Sequence, residues 1–157
     1  MALLNIIKED KDVLNALRKK SRTVEEITPR INTLIDDMKE TLKVSGGIGL
    51  AAPQVGILRR VVIVDDGEEI LELINPEIIS AEGEQDGIEA CLSLPGKWGM
   101  VKRPLNVTVK ALDRTGEVRT YTGTGLVGRC FCHEIDHLNG ILYTDLASRM
   151  LDPDELE

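Results

Sequence analysis

Aromatic side chains are nearly missing from this 157-residue chain, which holds one Trp, two Tyr and one Phe. Its core must be aliphatic, and no aromatics stand interleaved with basic residues to stack bases. Positive charge is also short: 19 Lys and Arg against 27 Asp and Glu leave a net charge of −8. So acidic a surface argues against a protein that works on DNA or on an anionic membrane. No stretch approaches the ~20 apolar residues that cross a bilayer. The opening Met1–Ile7 is apolar but short, and charged residues run from Lys8 to Asp12, so it does not read as a secretory signal. The expectation is a cytoplasmic protein. There Cys91, Cys130 and Cys132 stay reduced, and metal binding is favoured over disulfides. Histidine is scarce too, with two in the whole chain.

A hydrophobic fraction of 42% and a charged fraction of 29% suit a globular protein, read as a single domain over 1–157. Val13 to Lys20 reads as a short helix. Thr28-Pro29 starts a stronger one, with Thr as N-cap and Pro at the first helical position. Ile31, Leu34, Ile35, Met38 and Leu42 form its apolar stripe, and Ser45-Gly46-Gly47 ends it. The branched-aliphatic stretches Arg60–Val64, Ile70–Ile74 and Val107–Leu112 read as strands. Asp113–Gly116 is a turn, with Glu117–Thr122 returning as a hairpin strand. A last helix runs from about Gly125 to Leu138. The order predicts an α+β fold, with antiparallel or mixed sheets packed around that C-terminal helix and helices at the N-terminal end.

Both histidines fall in the last helix, in His133-Glu134-Ile135-Asp136-His137. Four residues turn a helix by ~400°, so the two imidazoles share a face and can hold one metal ion, with Glu134 in reach of a water on it. An amphipathic surface helix can carry the same letters by chance. A chain with no other histidine makes that reading the weaker one. With Leu126 set at zero, Cys130, His133 and His137 fall within about 40° of it, whereas Cys132 falls near 240°. Val127, Phe131, Ile135 and Leu138 form a core stripe, and Glu134 stands between the two stripes. Leu126 and Cys130 then become apolar walls beside the metal.

A catalytic metal takes a third protein ligand and keeps one position open. Cys91, Cys130, Cys132 and several carboxylates are candidates. Helix phase disfavours Cys132, and Cys130 packs more naturally than it ligates. Spacing alone leaves Cys91 slightly better read as a buried small hydrophobe. Three segments in order change the balance: Gly47-Ile48-Gly49-Leu50-Ala51-Ala52-Pro53-Gln54, then Glu89-Ala90-Cys91-Leu92-Ser93, then His133-Glu134-Ile135-Asp136-His137-Leu138. Together they resemble the peptide deformylase family, and the layout of helix, glycine loop, strands and motif helix follows that family over most of the chain.

The resemblance implies a hydrolase that removes the formyl group from the N-terminal formylmethionine of new polypeptides and releases formate. It implies that Cys91, His133 and His137 bind the metal and that Glu134 is general base and then acid. Gln54 and the Leu92 backbone N–H would hold the oxyanion. Ile48 and Gly49 would line the site and pair with an extended peptide. Glu89 would form an ion pair with Arg103. A Cys-His-His set suits Zn²⁺, Fe²⁺ and Co²⁺; the resemblance implies Fe²⁺, with Zn²⁺, Ni²⁺ or Co²⁺ substituting. Formylmethionyl nascent peptides are the expected partners, with transient ribosome contact left open. Three positions depart from the family pattern. Ala90 stands where glycine is usual, and Cys132 where glutamine is frequent. A basic residue that holds the peptide backbone in some members has no match, Trp98 standing near its place. Other amidases with the same ligand set, and non-catalytic metal modules, are the competing classes.

Overall fold

The computed structural model describes residues 2–8 and 15–156. Its first long element is helix α1, Pro29–Ser45. The Thr28 hydroxyl caps it by accepting from the Ile31 N–H, and Pro29 fills the first turn, where an N–H would have no helical partner. Gly46 closes it in the left-handed conformation, φ 76°, which a side chain resists. Ile31, Ile35, Met38 and Leu42 are buried along one stripe. Of the short helix expected over Val13–Lys20, residues 15–17 are helical and Leu17 is buried, while Val13 and Leu14 lie outside the described residues.

Strands β1 (Gly49–Ala51), β2 (Val61–Asp65), β3 (Ile70–Glu82), β4 (Gln85–Cys91), β5 (Leu94–Arg103), β6 (Asn106–Leu112), β7 (Val118–Thr124) and β8 (Arg149–Met150) form two sheets. One has the order β1-β2-β3-β6-β7 and the other β4-β5-β8. Neighbouring strands in both are antiparallel. The expected strand at Ile70–Ile74 runs on to Glu82 through an irregularity in register between Ile74 and Glu77. Asn75 takes φ 52° there, and its amide both accepts from the Val24 N–H and donates to the Val24 carbonyl at 2.8 Å. Bonds of that kind between distant parts of the chain stabilise a conformation that most residues avoid.

The motif helix, α2, is Leu126–Leu138. It packs Phe131, Cys132, Ile135 and Leu138 against Val62, Val64, Leu71, Leu73, Val107 and Val109 of the larger sheet. Val61 and Ile63 face the other way, into a core with Ile31, Ile35, Met38 and Leu42 of α1. Alternation along β2 thus places one sheet between two helices and explains why that strand reads as an unbroken aliphatic run. Gly128 permits the close approach of α2 to the sheet: a Cβ there would lie 2.9 Å from the Gly123 carbonyl oxygen and 3.1 Å from that of Leu105. The β4–β5 hairpin covers the remaining side of α2. A helix with one core face and one site-lining face was predicted. Arg129, Cys130, His133, Glu134 and His137 are buried as well, so α2 is enclosed from both sides. A short helix, α3 (Tyr143–Leu146), leads into β8.

Candidate active site

β4 delivers Cys91 at its end, and α2 delivers His133 and His137 one turn apart. One ligand atom from each lies within 4.8 Å of the others, and all three residues are buried. Cys91 Sγ stands 3.3 Å from His137 Nε2. Cys132 belongs to the apolar interface with the larger sheet. Burial pushes its thiol up, and pushes that of Cys130 up well above the ordinary value.

Charged groups on the far side of His133 set its orientation. Its Nδ1 is 2.8 Å from Glu89 Oε1. Arg103 grips the same carboxylate with two bonds, Nε to Oε2 at 2.8 Å and a terminal nitrogen to Oε1 at 2.9 Å. Its other terminal nitrogen donates to Asp136 at 2.7 Å. Burial pushes the Glu89 pKa up, but the bonds from Arg103 and His133 outweigh it and hold the value at about 2. An ionised Glu89 accepts the Nδ1 proton, which leaves Nε2 free to bind a metal; this carboxylate–histidine arrangement is the usual support of a metal ligand. Burial works against charge on His133 too, but Cys91, Glu134 and Glu89 outweigh it and raise its pKa. Burial and the neighbouring His133 push His137 down, toward the neutral form that ligates.

Gln54 is 1% exposed, in the short 3₁₀ turn after β1. The Ala51 N–H donates to its Oε1 at 3.0 Å, which turns the amide nitrogen inward, 3.2 Å from Ser93 Oγ and 3.5 Å from Cys91 Sγ. Glu134 is buried, and burial raises its pKa to about 7. Its Oε1 has no hydrogen-bond partner among the described residues. Gly49 leaves room for it: a Cβ there would lie 2.6 Å from Glu134 Oε2 and 2.5 Å from Cys130 Sγ. Around these groups lies a pocket of about 330 Å³, lined also by Ile48, Leu92, Leu126 and Cys130. Leu126 stands at its rim, 61% exposed, and Cys130 in its wall, 4% exposed.

The residues singled out from sequence are therefore gathered in one place. Ala90 lines the same pocket, but Trp98 does not: it borders a separate hollow with Met150 and Leu151. A larger hollow of about 950 Å³ lies between Ser21 and Glu26, the start of α1 and Arg59, and none of the three candidate ligands borders it. Sequence reasoning missed Ser93, the contact of Glu89 with His133, the Asp136–Arg103 pair and the burial of Arg129. For Arg129 a signal existed, since a residue four before His133 lies only about 40° from it around the helix.

Three buried donors suited to one divalent ion, beside a carboxylate able to gain and lose a proton near neutrality, define a metal-dependent hydrolase. The sequence matches the family model described as polypeptide deformylase over residues 4–152. It is 54% identical to a peptide deformylase of Acetivibrio thermocellus over 154 residues, 98% of this chain and 89% of that one. It is 56% identical to one of Caldanaerobacter subterraneus over 141 residues, 90% of this chain and 89% of the relative. Among solved structures, a Legionella pneumophila peptide deformylase aligns with TM-score 0.87 at 41% identity, covering 98% of this chain and 89% of that one. One from Synechococcus elongatus in complex with actinonin gives 0.86 at 36% identity, covering 93% and 79%. The chain belongs to the polypeptide deformylase family.

Proposed function

We propose that this chain hydrolyses the formamide at the N-terminal formylmethionine of new polypeptides, with Cys91, His133 and His137 holding one divalent metal. The observation that carries the reading is the convergence of these three buried residues, from two separated segments, beside Glu134 and Gln54. The donor set fits the group: a thiolate and two imidazoles suit Fe²⁺, Zn²⁺, Ni²⁺ or Co²⁺. We infer ferrous iron as the working ion, as the family resemblance implies. Bound there, the ion would act as a Lewis acid that acidifies a water and polarises the formyl carbonyl.

The chain's own groups do the rest. Glu134 takes the proton of the attacking water as its oxygen bonds to the formyl carbon; a value near 7 suits a group that must also give the proton back. Charge gathers on the carbonyl oxygen, where the Gln54 amide and the Leu92 N–H donate to it. Ala51 fixes the Gln54 amide, so that donor is oriented before substrate arrives. Glu134 then protonates the departing amine, the C–N bond breaks, and formate leaves. Ile48 and Gly49 pair with the extended peptide, and Leu126 and Cys130 flank the methionine side chain. A formyl carbon bears only hydrogen, so a close-fitting site rejects acetyl.

The same reading treats residues 1–157 as one catalytic domain working in the cytoplasm on nascent chains, and not on DNA. None of the described helices is long and apolar enough to cross a membrane. The test is formate release from a formylmethionyl peptide beside acetate release from its acetyl counterpart. Formate alone is expected. Cys91→Ala loses metal and turnover, whereas Cys132→Ala keeps both. Comparable acetate release, or metal loss confined to Cys132→Ala, defeats the proposal.

A further inference from the structure

We infer that Arg129 is a positioning residue of the metal centre: it ties the helix carrying His133 and His137 to the hairpin carrying Cys91. The inference rests on the Cys-His-His reading above. Arg129 sits one helical turn before His133 and is 5% exposed. One terminal nitrogen donates to Glu89 Oε2 at 2.7 Å and to the Val101 carbonyl at 2.9 Å, with the Gly87 carbonyl at 3.5 Å. It therefore binds β4 and β5 at once, two residues from Cys91 along β4.

Glu89 shows why a second arginine matters. Its Oε1 accepts from Arg103 and His133, and its Oε2 from Arg103 and Arg129. A carboxylate has about four lone-pair sites, so each is in use and the group has no freedom to turn. Without Arg129, Oε2 keeps one partner, and the carboxylate that orients His133 can tilt. The hairpin also loses its direct bond to this turn of α2. Ligand separation then rests on the Glu89–His133 contact and on Arg103, which holds Asp136 of α2. Gly87 is matched to this arrangement: a Cβ there would lie 2.7 Å from the second terminal nitrogen of Arg129 and 3.0 Å from its Cζ. The bare Cα of Gly87 leaves that space to the guanidinium.

The experiment uses Co²⁺ as the probe, since cobalt reports its ligands through absorption, including the thiolate-to-cobalt band. Wild type, Arg129→Met, Arg129→Lys and Gly87→Ala are titrated with cobalt against a competing chelator, well below their melting temperatures. Arg119→Met, which removes a half-exposed ion pair with Asp113, serves as control. Arg129→Met is expected to bind cobalt roughly 10–100-fold more weakly, the usual effect of losing a group that supports a ligand, with a shifted or weakened thiolate band. Lys recovers part of the affinity. Gly87→Ala, which displaces the guanidinium without removing its charge, moves both readouts the same way by less, and it decides the matter should Arg129→Met not fold. Wild-type affinity and an unchanged band in a folded Arg129→Met or Gly87→Ala overturn the inference. Wild-type protein that binds no cobalt instead defeats the metal-centre reading itself.

Discussion

Two clusters in this molecule share one composition, two carboxylates and two cations, and differ in burial. In the first, Arg114 in the β6–β7 turn pairs with Glu72 of β3 and Asp36 of α1 at 2.6 and 2.7 Å, and Lys39 of α1 reaches Glu72 at 2.6 Å. These side chains are 17–42% exposed. In the second, Glu89 and Asp136 pair with Arg103 and Arg129, and all but Asp136 are 4–6% exposed. A group orphaned in the first cluster is rehydrated. A group orphaned in the second stays a bare charge beside an imidazole. The outer cluster is a clip between elements that hold without it, and each exposed pair contributes ~0–1 kcal/mol. The inner one is a single unit whose members cannot be removed singly.

The largest effect should come from Glu89→Gln, which leaves two buried guanidiniums facing a neutral amide. Breaking a buried pair from one side costs about 3–5 kcal/mol. In a chain of this size that lowers the melting temperature by roughly 6–20 °C. Calorimetry reads this, and metal should be lost in parallel because His133 loses its support. A shift under about 2 °C would mean that the cluster relaxes or hydrates, and the contrast between the two clusters would collapse.

Glu134 sharpens the contrast as a buried carboxylate with no ion pair among the described residues. Evolving such a group for stability makes little physical sense, since burial alone opposes its charge. Glu134→Gln should therefore leave melting unchanged or slightly raised and metal content intact. Turnover should fall ~10²–10⁴-fold, the usual share of general acid–base catalysis. Single-turnover formate release with metal analysis checks both halves; a near wild-type rate removes Glu134 from the chemistry.

Much of this is legible in the sequence. Thr28, Pro29 and Gly46 bound α1 because caps are local physics, and Asp113–Gly116 marked the β6–β7 hairpin for the same reason. His133 and His137 were readable because helix phase depends only on spacing. The β4–β5 hairpin was not, and its alternation shows why. Ile88 is 45% exposed at the edge of the pocket, and Glu89 is buried at 4%. The hydrophobic signal of a strand is inverted where its inner face is lined with ionic groups for a metal ligand. Arg129 was missed although its phase, about 40° from His133 around the helix, marked it for the same face. β3 ran past its expected end because Asn75 draws its bonds from Val24, 51 residues away, and no local pattern announces that.

The smallest predicted effect belongs to the outer cluster. Burial pushes the Glu72 pKa up, but hydrogen bonds from Arg114 and Lys39 outweigh it, so the folded value lies below the ordinary carboxylate range. The sign of the pH dependence follows. At pH values between the two pKa values, the unfolded chain holds a proton that the folded chain does not. Glu72 therefore stabilises the fold above its unfolded pKa, and that contribution disappears as pH falls through the folded one. Glu72→Gln should melt lower than wild type at pH 7 by about 1–3 °C, the worth of an exposed pair or two in a chain of this size. The gap should close on acidification through the carboxylate range and should also narrow in high salt, because these side chains are reached by solvent. Turnover should not change, since α1, β3 and the β6–β7 turn meet at Glu72 without touching the pocket. The matched measurement is a melting series of both proteins across acidic pH and salt. A gap that persists in acid would mean that Glu72 contributes by packing rather than charge. A gap as large as that of Glu89→Gln would mean that exposure is not what separates the two clusters.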